Sequence, residues 1–223
     1  MNSNPRQQKL LAIALLLGIA LLVSLSGCTK KEQQNLPESK SPANEPRIIH
    51  YKGYDFAYVD GLWTTALTKG NFLYPLRLQY NPNELEEIEI LGDIHGFFPS
   101  NKTYIAYPPY QTQNNVGLAL AELSTTLAPT FIFVQEEPFT PLLVCSHDGP
   151  QFCYGVNPLQ EPLVPMNCTT HPHHKVIELK IDTVPYISVK NNNCIIIAGS
   201  TETIVQSVDR FLYALYGIMN PGK

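Results

Sequence analysis

Clusters of basic residues are missing from this chain. Its 15 Lys and Arg stand against 19 Asp and Glu, a net charge of −4, and no stretch of the folded part gathers cations. Nucleic acid, which demands such a patch, is therefore set aside as a partner. No Gly-x-Ser-x-Gly elbow occurs, which removes a common framework for a serine nucleophile. The cysteines lack the close paired spacing of zinc modules. Gly199-Ser200-Thr201, at a strand-to-helix junction, lacks the Gly-rich loop and lysine of nucleotide sites, so helix capping by Ser200 or Thr201 is its expected role. No internal repeat is visible.

What is present begins at the N-terminus. Arg6 and Lys9 precede an apolar run from Leu10 to Leu25, and Leu25-Ser26-Gly27-Cys28 follows. A basic region, a short apolar core and small residues in that order form a secretory signal. The run falls short of the roughly 20 residues of a comfortable bilayer crossing. Leu-Ser-Gly-Cys resembles the lipobox of prokaryotic lipoproteins, in which a diacylglyceryl group is added to the cysteine sulfur and the chain is cut just before it. The resemblance implies Cys28 as lipid attachment site and first mature residue. An uncleaved signal anchor is the alternative, and both put the remainder on the extracytoplasmic face of the cell membrane. From Thr29 to Pro46 the composition turns to Lys, Glu, Gln, Ser, Asn and Pro, too polar to fold. As a flexible coil it spans roughly 25 Å. The chain thus divides into a signal at 1–28, a tether at 29–46 and a single globular domain at 47–223.

Cys145, Cys153, Cys168 and Cys194 remain, an even number in an exported chain, where disulfides are the expected state. Of the pairings open to them, Cys145 with Cys153 closes a short loop and Cys168 with Cys194 ties two strands. Asn101-Lys102-Thr103 and Asn167-Cys168-Thr169 match the N-glycosylation pattern, an expectation of surface positions for Asn101 and Asn167.

The patterning is that of an α+β fold with a mixed sheet, an N-terminal hairpin and two main helices at about 113–127 and 201–217. Tyr54, Phe56 and Tyr58 alternate up to Asp60-Gly61 and Leu62 to Leu67 resumes, which predicts a hairpin with a tight turn. Phe72 to Tyr80 is a third strand, and Pro75 places it at an edge. Tyr104–Tyr107, a helix carrying Val116, Ala119, Leu120, Leu123 and Leu127, then Phe131–Val134 predict a strand–helix–strand crossover, with Pro129 ending the helix. Strands are also expected at Leu163–Met166, Lys175–Ile181, Tyr186–Val189 and, centrally, the fully apolar Ile195-Ile196-Ile197. Ile204, Val205, Val208, Phe211, Leu212 and Leu215 form one apolar stripe on the closing helix.

The stretches "GYDFAYVDGLW", "YPLRLQYNPNELEEIEILG", "VGLALAELSTTLAP" and "NNNCIIIAGSTETIVQSVDRFLYALYGIM", with the Cys145, Cys153, Cys168 spacing, resemble an uncharacterised family of archaeal exported or membrane-anchored proteins. The resemblance covers nearly everything from Gly53 to Met219. It implies an archaeal surface location and cysteines that belong to a framework, and it brings no activity.

Two stretches carry candidate chemistry. Asp93 and His95, in "IEILGDIHGFF", have the spacing of a metal-dependent phosphoesterase's first loop. The second acidic loop and the Gly-Asn-His that such enzymes also require do not follow. His171, His173 and His174 crowd three imidazoles into four residues, a candidate metal site, with a loop carrying Cys168 toward its strand as the plainer reading. Tyr54, Tyr58, Trp63, Tyr107 and Tyr110 would stack on sugar rings if exposed. The expected role is therefore a surface-anchored binding or structural domain without a cofactor. Its partners are the membrane, through the anchor, and a cell-surface protein or glycan. A metal-dependent hydrolase using Asp93, His95 and the histidine loop is the rival.

Overall fold

Both residues of the Asp60-Gly61 turn take positive φ, 52° and 84°, the conformation a tight hairpin of right-twisted strands requires. The computed structural model describes residues 47–97, 103–108, 115–135, 142–146 and 165–220. The expected hairpin is there as β2 (Tyr54–Val59) and β3 (Leu62–Lys69), with Tyr58 opposite Trp63. It is the middle of a four-stranded antiparallel sheet of order β1-β2-β3-β4, completed by β1 (Ile48–Tyr51) and β4 (Phe72–Leu78). β4 is an edge strand, as Pro75 demands.

A second, mixed sheet has the order β5-β9-β10-β8-β6-β7. Its strands are β5 (Glu89–Leu91), β6 (Thr103–Tyr107), β7 (Leu142–Cys145), β8 (Lys175–Ile181), β9 (Tyr186–Asn191) and β10 (Cys194–Gly199). Ile195-Ile196-Ile197 lies on β10, paired parallel with β8 and antiparallel with β9, so the apolar run is central as its composition requires. Helix α1 (Asn115–Gln135) joins β6 to its parallel neighbour β7, and α2 (Ile204–Leu215) follows β10. The fold is α+β.

Three expectations are corrected. Helix α1 runs through Pro129 to Gln135, so Phe131–Val134 is helix and the crossover ends instead on β7. A proline forfeits one N–H bond, to the carbonyl four residues back, and the turns on either side keep theirs. Of the expected strand Leu163–Met166, Leu163 and Val164 lie outside the described residues; Pro165 and Met166 form no strand, and the Met166 amide donates to the Cys145 carbonyl at 2.9 Å. The closing helix starts at Ile204, and its first turn lacks the expected cap. The hydroxyls of Ser200 and Thr201 donate to the Glu202 carboxylate at 2.7 and 3.0 Å, while the Thr203 hydroxyl accepts from the Ser200 amide at 2.9 Å. The apolar stripe of α2 packs into the core as expected, and Ser207, Asp209, Arg210 and Tyr213 are buried beside it.

The reason lies in the layering. One side of α2 packs on β10 and β9. The other meets the four-stranded sheet, where Phe56 touches Tyr213 edge-to-face at 5.6 Å. A helix covered on both sides must bury its whole circumference. A single core therefore runs from Phe56, Leu76 and Leu78, through Val208 and Phe211, to Ile177, Ile195 and Ile197. A smaller cluster, Ala106, Val144, Met166, Val176 and Cys194, covers the opposite face of the mixed sheet. Gly199 lets α2 approach its strand: a Cβ there would lie 3.0 Å from both Cα and N of Ile204. Gly199→Ala is accordingly expected to lower stability to urea by about 1–3 kcal/mol, since backbone and not a flexible side chain must move. A loss below about 0.5 kcal/mol, the range of ordinary surface changes, would contradict this packing.

Candidate functional site

The Asp-x-His stretch serves a turn. The Asp93 carboxylate accepts the His95 amide at 2.8 Å and caps the 3-10 turn Ile94–Gly96, while Ile94 and Phe97 fill the core on either side. Gly92 takes φ +99°, and a Cβ there would sit 3.0 Å from the Val189 carbonyl oxygen. The side chains of Asp93 and His95 stay exposed.

The histidine loop is organised by its neighbours. His171 Nδ1 bonds the Thr170 hydroxyl at 2.8 Å, and the rings of His171 and His174 meet edge-to-face with centroids 5.7 Å apart. His174 meets Tyr104 in the same way, and His173 is exposed. Among the described residues no group of three or more His, Cys, Asp or Glu is placed to hold a metal ion. Asp93, His95 and His171–His174 are therefore not brought together.

Cys168 and Cys194 form the expected bridge, with Cα atoms 5.6 Å apart. Cys145 is disulfide-bonded too, and its expected partner Cys153 lies outside the described residues, as do Cys28 and Asn101. Asn167 is partly buried and engaged: its Oδ1 accepts the amides of Thr169 and Thr170 at 2.9 and 2.8 Å, and its Nδ2 donates to the Ser146 carbonyl at 2.8 Å. That nitrogen, the atom a glycan would take, fastens the loop to the end of β7. Among the sugar-stacking candidates, Trp63 is buried, and the Arg47 guanidinium lies 4.3 Å from the centroid of the Tyr58 ring.

The structure assembles a group that the sequence reading did not single out. Glu122 of α1 and Asp209 of α2, 9% and 0% exposed, meet where the two helices and the end of β4 converge. Their carboxyl groups are hydrogen-bonded to one another, and the Gln79 amide donates to both. The Tyr80 amide donates to Asp209 Oδ2 at 2.8 Å, and the Tyr213 hydroxyl donates to the Tyr80 carbonyl at 2.8 Å. As two carboxylates neither group has a proton to give the other. Among the described residues Glu122 Oε2 and Asp209 Oδ1 otherwise lack a partner, so one proton held by the pair supplies the missing donor.

Burial pushes both carboxyls upward, Glu122 to about 7 and Asp209 well above its ordinary range, the latter also because Glu122 lies beside it. The amides of Gln79 and Tyr80 oppose the rise without cancelling it. Burial, then the negative charges of Asp209, Glu122 and Glu84, keep the Tyr213 phenol protonated. Chemically this is a proton-holding joint between three elements. Its sequence signal was modest: Glu122 is the sole charged residue between Val116 and Gln135, a lone carboxyl on an apolar helix.

No family model, curated protein or solved structure matches this chain.

The joint predicts an ordering of variants at neutral pH. Asp209→Asn keeps an acceptor for the Tyr80 amide and a donor toward Glu122, whereas Asp209→Ala strands two half-buried amides, those of Gln79 and Tyr80. The alanine variant is expected to lose about 3 kcal/mol or more in urea unfolding, because each stranded group costs about 1–3 kcal/mol. The asparagine variant is expected to lose clearly less. Equal losses would mean that the carboxyl does not satisfy those amides.

Proposed function

We propose that the chain is a lipid-anchored, extracytoplasmic domain with a binding or structural role at the cell surface, of the archaeal type its resemblance implies. The observation that supports this most is the Cys168–Cys194 bridge, which ties the 165–174 loop to the first residue of the central strand. Bridges of this kind persist where thiols are oxidised, the space into which the N-terminal signal would deliver the chain.

A surface for binding is offered by the β3–β4 hairpin, whose far end exposes Phe72 and Leu73 at 77% and 70%. Exposed neighbouring large apolar residues at the end of an extended hairpin suit a protein partner. The glycan reading is less well supported, because Trp63 is buried and Arg47 lies against Tyr58. The rival hydrolase has no assembled ligand set among the described residues to support it.

Crosslinking on intact cells tests the reading. A photoreactive residue at position 72 is expected to capture a neighbouring surface protein, and Phe72→Asp to abolish that capture. Recovery of the chain in the cytosol with titratable thiols would overturn the proposal. The bridge itself is expected to contribute about 3.5 kcal/mol by restricting the unfolded chain. Cys168→Ser with Cys194→Ser should lose that amount in urea unfolding, and a reductant should then have no further effect through this bond.

A further inference from the structure

We propose that Glu122 and Asp209 form a proton-operated latch: with a proton between them α1 is held against α2 and the end of β4, and when that proton leaves α1 separates from them. This goes beyond the surface role proposed above and does not depend on it.

The geometry carries the inference. Two acidic side chains from separate helices are buried against each other, and each keeps an oxygen for which no donor is found among the described residues. The groups facing them add no positive charge. On α2 the nearest is the Tyr213 phenol, bonded to the Tyr80 carbonyl. On the 3-10 turn Pro82–Leu85 it is Glu84, whose carboxylate accepts from the Asn81 amide and side chain at 2.8 and 2.6 Å. On β4 and its end, the Gln79 and Tyr80 amides are the donors. Arg210, one residue on from Asp209, is engaged elsewhere: its Nε donates to the Ile88 carbonyl at 3.2 Å and its Nη2 to the Asn220 carbonyl at 3.0 Å. Among the described residues, no cation is recorded in contact with either carboxyl. Loss of the shared proton therefore leaves two adjacent anions in a buried, negative environment, where water is the available relief.

Glu122 and Asp209 do not share that burden equally. Asp209 is fully enclosed and takes the Tyr80 amide as well as the Gln79 amide they share, whereas Glu122 has only the Gln79 amide, lies at the margin of burial and needs less movement to reach water. Helix α1 is therefore the part that moves. The sign follows from linkage. The closed state holds the proton more tightly than the open one, so raising the pH favours opening. The effect starts near the ordinary glutamate value of about 4.3 and continues until the closed pair itself titrates. Burial sets that upper bound by raising both carboxyls, Asp209 well above its ordinary range.

Amide hydrogen exchange on the full chain between pH 5 and 8, corrected for intrinsic exchange, tests the latch. Opening of α1 is expected to rise with pH across this range, on the order of tenfold per pH unit while the closed pair keeps its proton, and β10 amides are expected to keep their protection. Glu122→Gln, which donates to Asp209 without titrating, should flatten that slope. Asp209→Asn, which donates to Glu122 from the other side, should do the same and serves if the first variant does not fold. An α1 slope absent from the parent, or retained in the variants, would overturn the proposal. So would a parallel loss in β10, which would report whole-domain destabilisation and no latch.

Discussion

The arrangement depends on a helix covered from both sides. Because α2 lies between β10 on one face and Phe56 of the four-stranded sheet on the other, its polar residues cannot turn to solvent and must find partners inside the protein. Asp209 does so by taking the Tyr80 and Gln79 amides and one carboxyl of α1. Tyr213 reaches the Tyr80 carbonyl, Ser207 the Ala198 carbonyl at 2.6 Å, and Arg210 the Ile88 carbonyl. These bonds reach the end of β4, the end of β10 and the segment before β5, so the helix acts as the common reference for both sheets.

The two faces of the mixed sheet are secured by different means. Toward α2, Ile177, Ile195 and Ile197 are held by apolar packing. On the other face Met166, Val176 and Cys194 lie under a loop pinned by the Cys168–Cys194 bridge, by the Asn167 bond to Ser146, and by the Cys168 amide donating to Glu178 at 2.9 Å. The covalent staple thus holds the loop on one face of the sheet, and the other face relies on packing and on one shared proton. Oxidising conditions and pH therefore act on opposite sides of the same sheet.

Much of the architecture was legible because it rests on local rules. The Asp60-Gly61 turn, the edge position forced by Pro75, and the central place of Ile195-Ile196-Ile197 each follow from backbone geometry or from burial on both faces of a strand. The run through Pro129 was not legible, since tertiary context can outweigh the missing N–H of a single proline. The second buried face of α2 escaped for a related reason. The burial of Ser207, Asp209 and Tyr213 depends on a second sheet covering them, and nothing local announces that sheet's position. The meeting of Glu122 with Asp209 is a long-range event between two helices. The Asp93–His95 spacing, by contrast, was visible but served a turn. A two-residue motif without its partners reports only local geometry.

The central claim is that a buried carboxyl pair holding one proton joins α1, α2 and the end of β4. Carbon-13 NMR of the side-chain carboxyl carbons, followed through a pH titration of the native chain, addresses it most directly. The account predicts that Glu122 and Asp209 titrate as a linked pair, with one proton retained at neutral pH. Two independent titrations complete by about pH 5, as solvated carboxylates would show, would contradict it.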